Sequence, residues 1–407
     1  MKILQINNVH YRRGGADVVY LNTGKLLEDH DHEVFYFSQK NKKNVNSTTS
    51  NYFIKETNYF EKSLLGKIFS ISRFFFSSES KRKISRLIQD SKPDIAHVHL
   101  YKADITPSIF PVLKNHKIPV IITVHDYGLM CPHNLMLDGK MNICTRCVKG
   151  SAFNCIKYKC NRNSLILSSL SASEYIFNSL FFPFNKYFSK IITVSKFGQE
   201  LHKSSGKFNI EILHLYNFFP DIDKTNPVLN KGSYFLFFGR LSKEKGISTL
   251  IQAWHSNKRH SRLKIAGTGD LYDQLTTGNL SNNSIDILGF KEGSELDNLV
   301  RNCSFVIVPS EWYENNPLTI IEAYANGKPV IGANVGGIPE IIENGKTGFI
   351  FTMRDVQDLS AKIELAENIS ADEYKKMAGN ARSFAEAYFS EKKHYEKLMA
   401  IYNSVLI

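Results

Sequence analysis

Short apolar runs recur through the first half of the chain, at 3–7, 33–38, 94–100, 120–123, 190–195 and 210–215, and the stretches between them carry apolar residues at helical spacing. Runs this short, bounded by polar turns, read as strands buried on both faces. Their alternation with amphipathic helices predicts a doubly wound parallel sheet. The pattern pauses over 217–232, where Pro220, Pro227 and weak periodicity read as a linker. It restarts at Phe235 with a second series of strands and helices. The expected organisation is therefore α/β, with two Rossmann-like parallel-sheet domains at 1–216 and 233–385 and a closing helix over 386–407.

Length agrees with that division, since 407 residues with 43% hydrophobic content suit two domains of ordinary size. Met1-Lys2 leads straight into the first strand, and no apolar run reaches the roughly 20 residues of a membrane span. A cytoplasmic protein is expected. Charge adds something the pattern does not show. The net charge of +12 divides into +14 over residues 1–215 and −2 over the remainder. A basic half beside a neutral one points to a partner rich in negative charge, a nucleic acid or an anionic membrane surface. No helix-turn-helix, finger or RNA-binding aromatic motif is present, so no nucleic-acid partner is expected. Two stretches, 59–86 and 165–190, mix Phe60, Leu64, Leu65, Ile68, Phe69, Phe74–Phe76, Phe177, Phe181 and Phe182 with lysines and arginines. Each fits a helix in the headgroup region or an ordinary helix packed on the sheet. The charge asymmetry favours peripheral contact with the inner face of the membrane.

Candidate chemistry is densest over 309–340, PSEWYENNPLTIIEAYANGKPVIGANVGGIPE. An apolar strand ends at Pro309, a polar loop follows, and a helix opens at Asn316-Pro317, where proline in the first turn costs no hydrogen bond. The free amides near Leu318 and Thr319 suit phosphate oxygens. Glu314 precedes that turn and Glu322 lies behind it. Gly336-Gly337 reads as a second glycine pair opening a short helix. Earlier, Phe235–Phe238 leads into Gly239-Arg240-Leu-Ser-Lys243-Glu-Lys245-Gly246, a strand tip whose Arg240 and Lys245 can clamp a diphosphate from two sides. Near the start of the chain, Gly14-Gly15 between strand and helix lets amides approach an anion. His125-Asp126 is a polar pair at a strand end.

Glu314 and Glu322 eight apart, followed by GKPV, GGIPE and Thr347-Gly348-Phe349, resemble the signature of the retaining glycosyltransferases of family four, also called group 1, which have the GT-B fold. The resemblance is specific over 231–350 and looser in the first half. It implies two sheets facing a cleft, with the closing helix returning to the first domain. It further implies that Arg240, Lys245, Leu318 and Thr319 hold the donor diphosphate and that Glu322 binds the ribose. Gly289 and Phe290 would lie near the base, Gly15 near the cleft, and Glu314 and His125 against the transferred sugar. Asn315-Asn316-Pro317 departs from the commoner glycine-rich loop of that family.

Five cysteines, Cys131, Cys144, Cys147, Cys155 and Cys160, crowd into an insertion over about 127–163. In a reducing compartment this spacing favours a structural zinc, with one cysteine spare and His133 able to substitute. Free thiols or a redox switch are the alternatives. His97 and His99 read as buried structural residues. No cofactor is expected for catalysis. The expected partners are a nucleotide-diphosphate sugar donor, a lipid-linked or oligosaccharide acceptor in bacterial surface polysaccharide assembly, and an anionic membrane. A GT-B nucleotide-sugar epimerase and a non-catalytic membrane scaffold are the competing readings.

Overall fold

The computed structural model of the chain describes residues 1–56, 73–256, 261–277 and 284–406. They form two compact units, one of Met1–Leu215 with Tyr395–Ile407 and one of Tyr216–His394.

Unit 1 is built on a parallel sheet of order β2-β1-β3-β4-β5-β6. Its strands are β1 Lys2–Ile6, β2 Glu33–Phe37, β3 Ile95–Val98, β4 Val120–Val124, β5 Lys190–Thr193 and β6 Glu211–His214. The strands are rich in Ile and Val because a parallel sheet is covered on both faces. Alternation sends Leu4, Ile6, Ala96, Val98, Val120 and Ile122 to one face, against Ile84, Leu87 and Ile88 of the helix Ser78–Ser91. Ile3, Ile95, Ile121 and Ile192 go to the other, against Tyr20 and Leu27 of the helix Gly15–Glu28 and Leu398 and Tyr402 of the closing helix Glu391–Asn403. Each Leu, Ile or Val among them, fully buried, contributes about 1.5–3 kcal/mol.

Unit 2 repeats the plan with order β12-β11-β10-β7-β8-β9. Its strands are β7 Tyr234–Phe238, β8 Arg262–Ala266, β9 Ile285–Gly289, β10 Val306–Val308, β11 Val330–Ala333 and β12 Gly348–Phe351. Aromatic rings fill its core. Phe235 packs edge-on to Trp254 at 5.5 Å and stacks on Phe305 at 5.8 Å, and Phe305 continues to Phe349 and Tyr374.

Three expectations change. Residues 217–232 are part of unit 2 rather than a free linker, because the prolines there are interspersed with apolar side chains that bury. Phe218 packs on His394 at 4.5 Å, Ile222 is buried, and the Val228 N–H donates to the Asn326 carbonyl at 3.1 Å. Gly336-Gly337 opens turns and no helix. The helix after Asn316-Pro317 begins at Leu318 with Pro317 as its N-cap. Of the first aromatic and basic stretch, Tyr59, Phe60, Lys62, Leu64, Leu65, Lys67, Ile68 and Phe69 lie outside the described residues. Among the described residues no helix is long and apolar enough to cross a membrane.

Candidate active site

In unit 2 the loops at the carboxyl ends of β10, β7, β8 and β9 are laced side to side. Glu311 N–H donates to the Glu244 carbonyl at 2.8 Å, Leu241 N–H to Thr268 at 2.9 Å, and Gly267 N–H to Gly289 at 2.7 Å. The carboxyl edge of a parallel sheet is where its ligands bind. Arg240 stands exposed at the tip of β7, with Glu244 at 4.0 Å as a loose counterion. Lys245 closes the 3-10 turn Lys243–Lys245, and Gly246 follows in the left-handed region at φ 70° before the helix Ile247–His255. A Cβ at Gly246 would run into the Pro309 carbonyl oxygen, so glycine is what lets this turn close against the end of β10.

That closure brings the lysine to the glutamate. Lys245 Nζ donates to Glu314 Oε1 at 2.6 Å, and the same oxygen accepts from Ser310 Oγ at 2.7 Å and Trp312 Nε1 at 2.8 Å. Lys245 Nζ also lies 5.2 Å from the Trp312 ring centroid. Burial of Glu314 would push its carboxyl up, but the Lys245 charge and these three hydrogen bonds outweigh that and hold it below the usual range. Its backbone is fixed as well. Gly337 N–H donates to the Glu314 carbonyl at 2.7 Å, and Gly336, at φ 59°, leaves no room for a Cβ against that carbonyl. The second glycine pair thus serves as the seat for Glu314.

Leu318 and Thr319 are the first residues of the helix Leu318–Ala325, both half-buried, with no side chain capping its start. Glu322 is half-buried midway along it. Gly289 ends β9 at φ 69°, and Phe290 beyond it is 63% exposed, an aromatic face open for stacking.

In unit 1, Gly15 starts the helix Gly15–Glu28. Asp17 is buried there, accepting from Asn7 Nδ2 at 2.9 Å and paired with Arg13 at 3.5 Å. His125, just beyond β4, belongs to a hydrogen-bonded file that sequence reasoning missed. Its Nε2 lies 2.9 Å from His99 Nδ1, and His99 Nε2 lies 3.1 Å from Gln5 Oε1. Because the amide oxygen only accepts, a neutral His99 carries its proton on Nε2, and its Nδ1 accepts from His125 Nε2–H. Beside this file, His97 bridges Tyr402 Oη and Thr123 Oγ1, each at 2.7 Å. Burial lowers the His125 pKa to about 4, so the ring is neutral at pH 7. Gln5, His97, His99, Thr123 and His125 occupy alternate positions on neighbouring strands, which the period of two could have revealed. Nothing in the sequence announced Tyr402.

The five clustered cysteines are buried free thiols. Cys147, Cys155 and Cys160 pack with Ala172, and burial pushes the Cys147 thiol up to about 12. Cys144 accepts from Arg146 Nη1 at 3.2 Å. Among the described residues no three Cys, His, Asp or Glu side chains are arranged to hold a metal ion. The three thiols packed with Ala172 lie against the helix Leu165–Phe181.

Unit 2 thus carries a cationic strand tip at Arg240 and a helix start at Leu318 without a side-chain cap, beside the charge-paired Glu314. Residues 13–218 match the family model described as Glycosyltransferase Family 4 and residues 219–384 that of Glycosyl transferases group 1, and the chain belongs to this family. It is 24% identical over 381 residues to a 42.6 kDa protein in the cps region of Klebsiella pneumoniae, covering 89% of this chain and 92% of that one. It is 28% identical over 190 residues to the amylovoran biosynthesis glycosyltransferase AmsK of Erwinia amylovora, 44% of this chain and 46% of that one. The chain spans about half the length, or less, of most of the curated relatives it matches. Anabaena HepE, solved in complex with UDP and glucose, shares the fold with a TM-score of 0.68 at 18% identity, over 99% of this chain and 100% of that one.

Proposed function

We propose that the chain transfers a sugar, with retention of anomeric configuration, from a nucleotide-diphosphate sugar to a lipid-linked glycan during assembly of a bacterial surface polysaccharide. The observation that carries this reading is the Lys245–Glu314 pair beside the open start of the helix Leu318–Ala325. UDP and UDP-glucose in complexes of HepE support a uridine nucleotide as donor, and the cps-region protein and AmsK support the pathway class.

The chemistry follows from charge. As the bond from the anomeric carbon to the diphosphate oxygen breaks, negative charge grows on the leaving group. Arg240, Lys245 and the amides of Leu318 and Thr319 neutralise that growing charge, so they stabilise the transition state more than the ground state. Lys245 then exchanges part of its bond to Glu314 for one to phosphate, which frees Glu314 to accept from a sugar hydroxyl. Glu322 accepts from the ribose, and Phe290 stacks on the base. His125, neutral and held by His99, is the unit 1 group assigned to the sugar. The acceptor oxygen attacks on the face the diphosphate leaves, and a departing phosphate oxygen takes its proton.

The test is nucleotide-diphosphate release across a panel of donor sugars, wild type beside Glu314→Ala. Selective release from one donor, lost in the variant, is expected. Donor consumed with no acceptor present and recovered as its epimer would identify the epimerase instead.

A further inference from the structure

Two asparagines 99 residues apart hold each other in unit 2. Asn217 is the second residue of that unit, and Asn316 lies between Glu314 and the start of the helix Leu318–Ala325. The Asn217 N–H donates to Asn316 Oδ1 at 2.8 Å, and Asn217 Nδ2 donates to the Asn316 carbonyl at 3.1 Å. An amide oxygen accepts and an amide nitrogen donates, so these two bonds set the orientation of both side chains. One end of each is left over. Asn316 Nδ2 and Asn217 Oδ1 are buried and have no hydrogen-bond partner among the described residues, and the two residues are 6% and 4% exposed.

Stability does not account for this arrangement. A neutral hydrogen bond contributes less than a buried polar atom without a partner costs, and here two bonds stand against two such atoms. What the pair fixes is direction. Pro317 confines the residue before it to extended backbone, so the place of Asn316 decides where the helix start points. His394 Nδ1 donates to the Tyr216 carbonyl at 2.9 Å, so the peptide between Tyr216 and Asn217 is gripped at its carbonyl by His394 and at its N–H by Asn316. On the other side of the loop, Gly337 N–H holds the Glu314 carbonyl. The turn from Glu314 to Asn316 is thereby anchored at both ends, and the amides of Leu318 and Thr319 come directly after it.

We propose that Asn217 is a positioning residue for the transfer: through its two bonds to Asn316 it aims the amides of Leu318 and Thr319 at the departing diphosphate. The inference rests on the transferase reading and adds to it a residue outside the loop that it orients. Amides held toward an oxygen act most on the charge that develops as the bond breaks, so a misaimed helix start costs rate more than donor affinity. Asn316, where the loop departs from the glycine-rich form, thereby has a task in this chain.

The experiment compares the full chain as wild type, Asn217→Ala, Asn217→Asp and the double variant Asn217→Ala with Asn316→Ala, in turnover of the preferred donor and in UDP binding by calorimetry. Asn217→Ala should lower kcat about tenfold or more with donor KM changed less than about threefold. It should weaken UDP about as much as it lowers kcat, because UDP carries the charge that the donor only develops. Asn217→Asp keeps the size and the backbone bond but sets a carboxylate oxygen against the Asn316 carbonyl. It should lose at least as much, and it supplies the comparison independently should the alanine variant not fold. The double variant should lose little more than the worse single one, since the two bonds serve one clamp. The melting temperature of Asn217→Ala is the folding control, expected within about 4 °C of wild type. Wild-type kcat and UDP affinity in the Asn217 variants overturn the proposal, as does a loss confined to KM or one that multiplies in the double variant. In those cases the transferase reading stands. A wild type that neither binds UDP nor releases nucleotide diphosphate from any donor refutes that reading, and the positioning role with it.

Discussion

His99 Nδ1 accepts a hydrogen bond from His125 Nε2–H across 2.9 Å, and Gln5 holds the far side of His99 at 3.1 Å. The histidine at the end of β4 is therefore oriented by a neighbour on β3's extension and by a glutamine on β1. Replacing His99 with Phe should remove that orientation while keeping ring volume. Turnover should fall about tenfold or more, with donor KM nearly unchanged, and His99→Asn should recover part of it because Oδ1 can accept in place of Nδ1. Imidazole nitrogen shifts of His125 report its tautomer directly. A wild-type tautomer in His99→Phe would refute the positioning role.

Lys245→Met leaves the Glu314 carboxylate buried against two neutral donors, a loss of about 3 kcal/mol in urea unfolding. The Glu314 pKa is held below the ordinary value of 4.5 in the folded protein. The pair thus stabilises fully above that value, and the contribution is lost as pH falls through the lowered folded-state pKa. In Glu314→Gln that acid dependence should disappear.

Gly336→Ala places a Cβ against the Glu314 carbonyl in a left-handed backbone, so both strain and displacement of the glutamate are expected. Stability should drop by about 2 kcal/mol and turnover should fall with it, whereas Gly345→Ala, left-handed but with open space around it, should lose only about 1 kcal/mol and no activity. Equal effects of the two would mean the seat under Glu314 is not what constrains it.

Acid should unfold unit 1 early. Burial holds His10, His125 and His202 at about 4, against 6.5 for an unperturbed ring, and burial with nearby lysines does the same for His214. Their folded-state values are depressed, so stability is complete above pH 6.5 and is lost as pH falls from there toward 4. A melting temperature measured from pH 8 to 4 should decline over that window with several protons taken up. His202→Gln should flatten the decline.

The strands and the loops at the carboxyl edge of unit 2 were legible because both are local. Strand runs declare burial through their own residues, and Arg240, Lys245, Glu314 and Gly336 sit within turns whose chemistry is written in adjacent positions. What was missed is relational. His99 looks like any buried histidine until β1, β3 and β4 are set side by side, and Tyr402 joins His97 from the far end of the chain. The stretch 217–232 carries turn residues that mask how Phe218 and Ile222 bury. The orientation of the helix Leu165–Phe181 depends on which of its faces finds partners, and its composition alone fits either.

The central claim is that Lys245 and Arg240 take up the charge of a departing diphosphate. The most direct measurement is single-turnover release of nucleotide diphosphate from the preferred donor by wild type, Arg240→Ala and Lys245→Ala with acceptor saturating. The account predicts a loss of about a hundredfold or more in the chemical step for each variant, with far smaller change in donor KM. Wild-type rates in the variants, or a loss confined to KM, would contradict it.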